Sequence, residues 1–554
     1  MDQDNATSTF LSVLKQQELD GLTEPEAIAA LILSATQDDN PTFSLDQIYS
    51  NVSQNGMESH LDPLGVLPYL LPSCQPAALN LIALIGECGN AKEVVVAVQE
   101  ILERVDAALD SEEEDDQEED SITKSPSEQL ISLIHLYNSA IPRLRLQKRS
   151  PSDTIRPLLS QIQSTIQLAG PLLQRDQGRG LISSVSALST SVLGWATGFN
   201  ETDLPNTKAI LQNLLDTVVS QCSHCIQSSL AQRSFENLYP RFTVRSTASP
   251  GWEDGQVAVE DALASYSKLG QPLSRSSLPA VPSTAILVLF AHAKTVPPNV
   301  DIYHVLSFLL PIIVASIQIN RNLDEVLSLL LQWLHPTHFP SAQQLSPDIS
   351  GPLSALLPTL ASAHPDSDTR HQAFRILSRV LSLTPPELRL QILKDLVTDT
   401  EFPQMRVAAV GLVKEAILEA LTQAQHAGKA TSVFASPICL QVFGPILFRS
   451  DPIDLFSRPG LTIDDLEDSM EPSRLVECLS LYYILLLRDN LNLTGVRDQI
   501  SNIEKTLLTP LRGVLTRWMD DTSLSGEHMH AIMPLVSLKT SVERVDSAIS
   551  NLQS

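Results

Sequence analysis

Apolar residues recur every three or four positions along almost the whole of this chain, a spacing that restricts it to helices each burying one face. Within 92–109, Val95, Val98, Ile101, Leu102, Val105 and Leu109 fall on one side of a helix. Ile500, Ile503, Leu507, Leu511, Val514 and Trp518 repeat the spacing, and Pro510 inside that run is expected to kink or end it. No stretch alternates apolar and polar residues between hairpin turns. Composition agrees. The 36 prolines against 21 glycines in 554 residues suit helices punctuated by proline, and suit poorly a glycine-turned sandwich or a phosphate-cradling α/β fold. The expected fold class is all-α, an irregular HEAT/armadillo-like helical-repeat solenoid with a disordered acidic linker.

An internal repeat supports the solenoid. Arg370-His-Gln-Ala-Phe-Arg-Ile-Leu377 aligns with Arg406-Val-Ala-Ala-Val-Gly-Leu-Val413 at an offset of 36 residues, pairing Arg370 with Arg406, Ala373 with Ala409 and Leu377 with Val413. Each copy follows a turn, at Pro365-Asp-Ser-Asp368 and at Phe402-Pro403. The small alanine lets neighbouring helices approach closely. HEAT and armadillo repeats run about 40 to 47 residues, so this spacing is short but compatible. Further helices are expected at 301–319, 323–335, 353–363 and 387–397.

Charge narrows the partners. Lys plus Arg is 37 and Asp plus Glu is 64, a net charge of −27. Phosphate contacts need concentrated Lys and Arg, so neither nucleic acid nor an anionic membrane surface is an expected partner. Nine of the eleven residues in Asp110-Ser-Glu-Glu-Glu-Asp-Asp-Gln-Glu-Glu-Asp120 are acidic. Such a block repels itself and cannot bury a face. The expected organisation is therefore N-terminal helical repeats over 1–109, a disordered acidic linker over 110–127, a central helical region over 128–239, a Pro/Gly-rich loop region over 240–283, and a C-terminal HEAT-like region over 284–554. A further loop is expected at 428–474, with a second acidic patch through Asp464, Asp465, Glu467, Asp468 and Glu471. The basic cluster Arg143-Leu-Arg-Leu-Gln-Lys-Arg149 reads as a charged helix end.

The uncharged run 302–319 is interrupted by Tyr303, His304, Ser307, Pro311, Ser316 and Gln318. A membrane span wants about 20 mainly apolar residues, so this run reads as a helix buried in a stack. Asp2 and Asp4 stand where a secretory leader would be basic, and six cysteines are too sparse for a disulfide framework. A cytoplasmic, monomeric protein is expected, with the nucleus as a second compartment.

The search for chemistry returns little. Cys222-Ser-His-Cys225 is the only CxxC, and zinc would need a second ligand pair that no nearby motif supplies. The stripe Leu211, Leu214, Leu215, Val218 and Val219 carries it into the interior of a helix, where packing is the expected role. The alternative is a peroxide-sensitive thiol pair, which makes Cys222 and Cys225 the candidate redox residues. His335-Pro-Thr-His338 and His528-Met-His530 lack acidic or Cys partners at matching spacing and read as loop histidines. No phosphate-cradling, dinucleotide-binding, nucleophile-elbow or zincin motif is present. No catalytic residue, metal or cofactor is expected. Ser125, Ser150, Ser249, Ser346 and Ser436 each precede proline and are expected in exposed loops, as candidate sites of proline-directed phosphorylation.

Two C-terminal segments carry a resemblance. One is Leu393-Lys-Asp-Leu-Val-Thr-Asp-Thr-Glu-Phe-Pro-Gln-Met-Arg-Val-Ala-Ala-Val-Gly-Leu-Val-Lys414, with the Arg370 helix before it. The other is Leu479-Ser-Leu-Tyr-Tyr-Ile-Leu-Leu-Leu-Arg-Asp-Asn490, followed by Ile503-Glu504 and Leu507-Leu-Thr-Pro-Leu511. Together they resemble the family that groups glomulin, the plant aberrant-root-formation proteins and the fungal YAP-binding proteins. The resemblance covers the C-terminal part; the N-terminal half is similar only in being helical and acidic. It implies a non-catalytic, HEAT-like scaffold acting through protein contacts. Fungal YAP-binding proteins associate with a basic-zipper stress transcription factor and promote its peroxide-induced activation. Glomulin masks the E2-binding face of the RING subunit of cullin–RING ubiquitin ligases. The implied partner is a protein with a basic face, a stress transcription factor first and a RING subunit second. Arg488, Asp489, Asn490 and Glu504 lie in the similar part and are the candidate contacts.

Overall fold

A computed structural model describes residues 10–15, 22–38, 40–111, 123–146, 148–199, 201–241, 248–270, 281–293, 301–339, 343–399, 401–427, 432–457, 470–520 and 529–553. Among the described residues the chain is helical, without a strand and with a single isolated bridge between Ser73 and Thr123. It divides into two compact units, Met1–Leu329 and Leu330–Ser554.

Local chemistry explains where the helices begin. Pro63, Pro76, Pro126, Pro151, Pro347, Pro386 and Pro437 each open a helix, at the position where a missing N–H costs nothing. In three of them the side chain before the proline takes up the first free N–H groups. Asp62 accepts from Leu64 and Gly65, Ser125 from Glu128 and Ser150 from Asp153.

In the first unit alternate helices stack on one another along most of the chain, which builds two rows. One row runs through Glu24–Gln37, Pro63–Leu70, Ala91–Ser111, Pro151–Ala169, Leu204–Gln221 and Thr284–His292. The other runs through Leu45–Gln54, Pro76–Cys88, Pro126–Ala140, Arg175–Thr197 and Trp252–Lys268. Val94, Val98, Leu102, Leu133, Ile134, Tyr137, Leu181 and Val185 are fully or almost fully enclosed between the rows. Each such side chain contributes about 1.5–3 kcal/mol by leaving water. Arg143 is the charged helix end foreseen at 143–149. Its guanidinium donates to the carbonyls of Gly86 and Gly89, at 2.5 and 2.7 Å, capping helix Pro76–Cys88.

The regular stacking is interrupted between Gln221 and Trp252, where the short helices Ser223–Ile226 and Leu230–Leu238 are inserted. Three residues hold this junction. Arg179, 5% exposed, donates to the carbonyls of Cys225, Ile226 and Gly251 at 3.1, 2.6 and 2.9 Å. Gly178 faces Cys225, and a Cβ there would overlap the thiol. Gly255 faces the carbonyl of Ile226, and a Cβ there would collide with that oxygen. Helix Leu230–Leu238 is capped from a distance, because Asp324 accepts from the N–H groups of Leu230 and Ala231, both at 2.7 Å. Burial, with Glu325 beside it, raises the Asp324 carboxyl above its ordinary range.

This junction corrects the expectation of a loop over 240–283. Trp252–Lys268 is a helix, with Val259, Ala262 and Tyr266 in the core. Gly255 lies within the stretch expected as a loop, but it is there for close approach to another backbone. Residues 242–247 and 271–280 lie outside the described residues, as does the acidic block beyond Ser111. The uncharged run is helix Ile302–Gln318 with Asp301 as its cap. Among the described residues no helix is long and apolar enough to cross a membrane.

The second unit repeats the pattern with fewer members. Pro347–Ala363 pairs with Ser367–Leu383, and Pro386–Thr398 with Pro403–Ala427. Pro403–Ala427 then packs on Glu471–Arg488, which packs on Met529–Gln553. The aligned residues Ala373, Leu377, Ala409 and Val413 are all 0% exposed, so the internal repeat occupies equivalent core positions. The paired arginines act differently. Arg370 caps the preceding turn through the carbonyls of His364 and Pro365, whereas Arg406 pairs with Asp451 at 2.5 Å. Helix Pro347–Ala363 starts before the expected 353 and keeps Pro352 and Pro358 inside it. The expected loop 428–474 contains helix Pro437–Leu447 and runs into helix Glu471–Arg488. Pro510 does not end the run. A π turn over Glu504–Leu508 precedes it and helix Thr509–Asp520 continues, the wider turn absorbing the hydrogen bond that proline cannot donate.

The glycines give opposite predictions. Gly255→Ala should lower stability by about 2–4 kcal/mol through backbone collision. Gly411→Ala, in a helix with nothing within 4 Å of the new Cβ, should raise it by about 0.5–1 kcal/mol. Urea midpoints of the two variants check both signs.

Candidate functional site

The candidate thiols sit at the inserted junction of the first unit. Cys222 ends helix Leu204–Gln221 and precedes the short helix Ser223–Ile226, so it marks a break rather than a helix interior. Cys222 is 0% and Cys225 1% exposed, and both are free thiols. Burial raises the Cys222 thiol well above its ordinary range and pushes Cys225 up to about 11 despite the Arg179 guanidinium nearby. A thiolate is the reactive form, and this environment withholds it. The pair packs against Gly178.

His335 meets the Thr337 hydroxyl at 2.9 Å, in a turn. His528 and the side chain of His530 lie outside the described residues. Among the described residues no group of three His, Cys, Asp or Glu side chains is placed to hold a metal.

The candidate contacts lie in the second unit, at the C-terminal end of helix Glu471–Arg488. The structure separates their roles. Asp489 is 1% exposed and accepts the N–H groups of Leu493 and Thr494, both at 2.8 Å, and the Thr494 hydroxyl at 2.6 Å. It folds the turn that follows, in which Asn492 (φ 51°) and Gly495 (φ 76°) take left-handed conformations. Arg488 and Asn490 on either side point to solvent. Leu487 and Leu491, which sequence reasoning passed over, are 48% and 68% exposed. Their signal was present as two leucines flanking a helix-ending Arg-Asp-Asn, but apolar spacing alone assigns such leucines to the core.

Glu504 is not a neighbour acting with these residues. It opens the π turn and holds Arg512, which also reaches Asp546 of the last helix at 2.5 Å. Hydrogen bonds from Arg512 keep the Glu504 carboxyl below its ordinary range. A cavity of about 330 Å³ opens between helix Pro437–Leu447 and the turn after Asp489, lined by Leu440, Phe448, Thr494, Asn502 and Ile503 among others.

Glu471, read from sequence as part of an acidic loop, is 2% exposed and forms a two-pronged pair with Arg474 at 2.7 and 2.6 Å. Arg474 in turn donates to the carbonyl of Arg449 at 2.7 Å. This pair anchors the helix that ends in the exposed leucines. A buried, bidentate pair of this kind resists the loss of either partner.

The matching family model covers residues 182–543, more than half of the chain, and is described as an uncharacterised protein family, YAP/Alf4/glomulin. This chain belongs to the YAP/Alf4/glomulin family. The match starts well before the C-terminal part in which the resemblance was legible, inside helix Arg175–Thr197, and takes in the Cys222 junction as well as the Asp489 turn. The names that the family carries point to binding proteins rather than to a known enzyme family. No curated protein matches the chain.

Two measurements follow. Native protein at neutral pH should react with a thiol reagent at Cys74 and Cys88, which are exposed, and leave Cys222, Cys225, Cys439 and Cys478 protected until unfolding. For Cys225 the rise in pKa alone should slow labelling about 100-fold. Asp489→Ala should cost about 1–3 kcal/mol, because two N–H groups and a hydroxyl lose their acceptor. Hydrogen exchange should locate the loss at Leu493 and Thr494.

Proposed function

We propose that this chain is a non-catalytic adaptor that binds a basic-zipper stress transcription factor and supports its activation by peroxide in the cytoplasm. Membership of the YAP/Alf4/glomulin family over residues 182–543 carries this reading. Two features support it. The net charge of −27 favours encounter with a basic segment. The Asp489 turn presents Leu487, Arg488, Asn490 and Leu491 outward on a fixed frame, and apolar anchors with a polar rim are the usual makings of a contact surface. Under this reading Asp489 shapes the surface, and Glu504 braces the helices behind it.

The test uses the purified full-length chain and a fluorescent basic-zipper region of a stress transcription factor. Binding is expected and should weaken at least tenfold between low and high salt, as charge screening requires. Leu491→Asp should weaken it about tenfold or more without lowering the melting temperature. Failure to bind at low salt, with peroxide tolerance unchanged on deletion of the gene, would remove the proposal. Binding instead to an isolated RING subunit, with block of ubiquitin transfer, would establish the glomulin-like alternative.

A further inference from the structure

Serine or threonine precedes proline seven times in the chain, at Ser125, Ser150, Ser249, Ser346, Thr384, Ser436 and Thr509. A proline-directed kinase must reach a hydroxyl that is open to water and not engaged by the fold. The fold withholds six of the seven. Ser125, Ser150, Ser346 and Ser436 are the N-caps of helices that begin at the following proline, and all four are half-buried. Ser125 and Ser150 accept N–H groups of their helices, the Ser436 hydroxyl donates to the carbonyl of Val433 at 2.8 Å, and the Ser346 hydroxyl is shut off from water. Thr384 is 3% exposed and donates to the carbonyl of Val380. Thr509 lies within unbroken helical backbone and donates to Glu504.

Ser249 is different. It is exposed, it caps no helix, and its hydroxyl makes no hydrogen bond among the described residues. The backbone around it is fully occupied. Its N–H donates to the Ser229 hydroxyl at 2.9 Å, and its carbonyl accepts from Trp252. That bond closes a turn with Pro250 second and Gly251 (φ 71°) third, the arrangement of a type II turn, in which the proline is extended. Arg175 holds the carbonyl of Pro250 at 2.8 Å and Arg179 that of Gly251 at 2.9 Å. The turn is therefore clamped from behind, and the serine hydroxyl is the polar group left facing water. Through its bond to Pro250 the Arg175 guanidinium stands one residue from the Ser249 hydroxyl.

We propose that Ser249 is the phosphorylation site of this chain for a proline-directed protein kinase. The Ser249 oxygen attacks the γ-phosphorus of a nucleoside triphosphate. The new O–P bond replaces the bond to the β–γ bridging oxygen, the nucleoside diphosphate leaves, and the hydroxyl proton passes to the kinase's base. The product places a phosphate close to −2 in charge beside Arg175, at the junction where the two rows of helices are interrupted. This inference does not depend on the adaptor reading.

The test incubates the full-length native chain with a purified proline-directed kinase and ATP, with synthetic peptides spanning the seven sites as references. Intact mass and site mapping should show one phosphate, on Ser249. Phosphorylation there should outpace every other site at least tenfold, beyond any difference among the peptides, because the other six require local opening of the fold. Ser249→Ala should abolish incorporation and leave the melting temperature unchanged. Absence of phosphate on Ser249 in the native chain, faster modification of an N-cap serine, or full incorporation by the Ser249→Ala protein would each overturn the proposal.

Discussion

The Arg179 guanidinium holds together the place in the first unit where, among the described residues, the two rows of helices are interrupted. Short amphipathic helices cannot bury their apolar faces alone, so each depends on its neighbours along the chain for its core. Between Gln221 and Trp252 the neighbour is missing, and the carbonyls of Cys225, Ile226 and Gly251 would face a desolvated interior without donors. Arg179 supplies them, and the bare backbones of Gly178 and Gly255 let the strands of chain come close enough for it to do so. Burial lowers the arginine's pKa, yet a guanidinium remains charged under these conditions and keeps its five donors.

The same economy recurs in the second unit with opposite signs. There a buried carboxylate, Asp489, takes three hydrogen bonds from the turn that follows it, and the buried Glu471–Arg474 pair ties the start of the same helix to the carbonyl of Arg449. Fully partnered buried charges of this kind fix one conformation. What they fix here is an exposed surface, because Leu487 and Leu491 stand outside the turn that Asp489 folds. Interior charges thus set the shape of the turn, while apolar side chains stand on its outer surface. The match to the YAP/Alf4/glomulin family spans both arrangements.

Much of this was legible from spacing alone. Apolar periodicity located the helices at 92–109, 301–319, 323–335 and 387–397 to within two residues, and Ala373 and Ala409, paired by the repeat, both proved fully buried. The misreadings share a physical cause. Proline and glycine were weighed as turn formers, yet Trp252–Lys268 is a helix within the expected loop 240–283, with Gly255 against the Ile226 carbonyl, and Pro437–Leu447 is one within the expected loop 428–474. Ser-Pro pairs were taken for loops, yet four of five start helices, since a serine cap and a proline in the first turn are the cheapest beginning a helix has.

The amino-acid sequence by itself determined the helical class, the acidic charge and the absence of recognisable catalytic motifs, because these follow from local periodicity and composition. Tertiary structure alone decided which charges are interior. Asp489, Glu471 and Arg179 look like any solvated Asp, Glu and Arg until helices distant in sequence close around them. It likewise decided which polar groups remain available. Ser249 has the same neighbour in sequence as Ser125, and only the packing around each makes one a cap and leaves the other open to water.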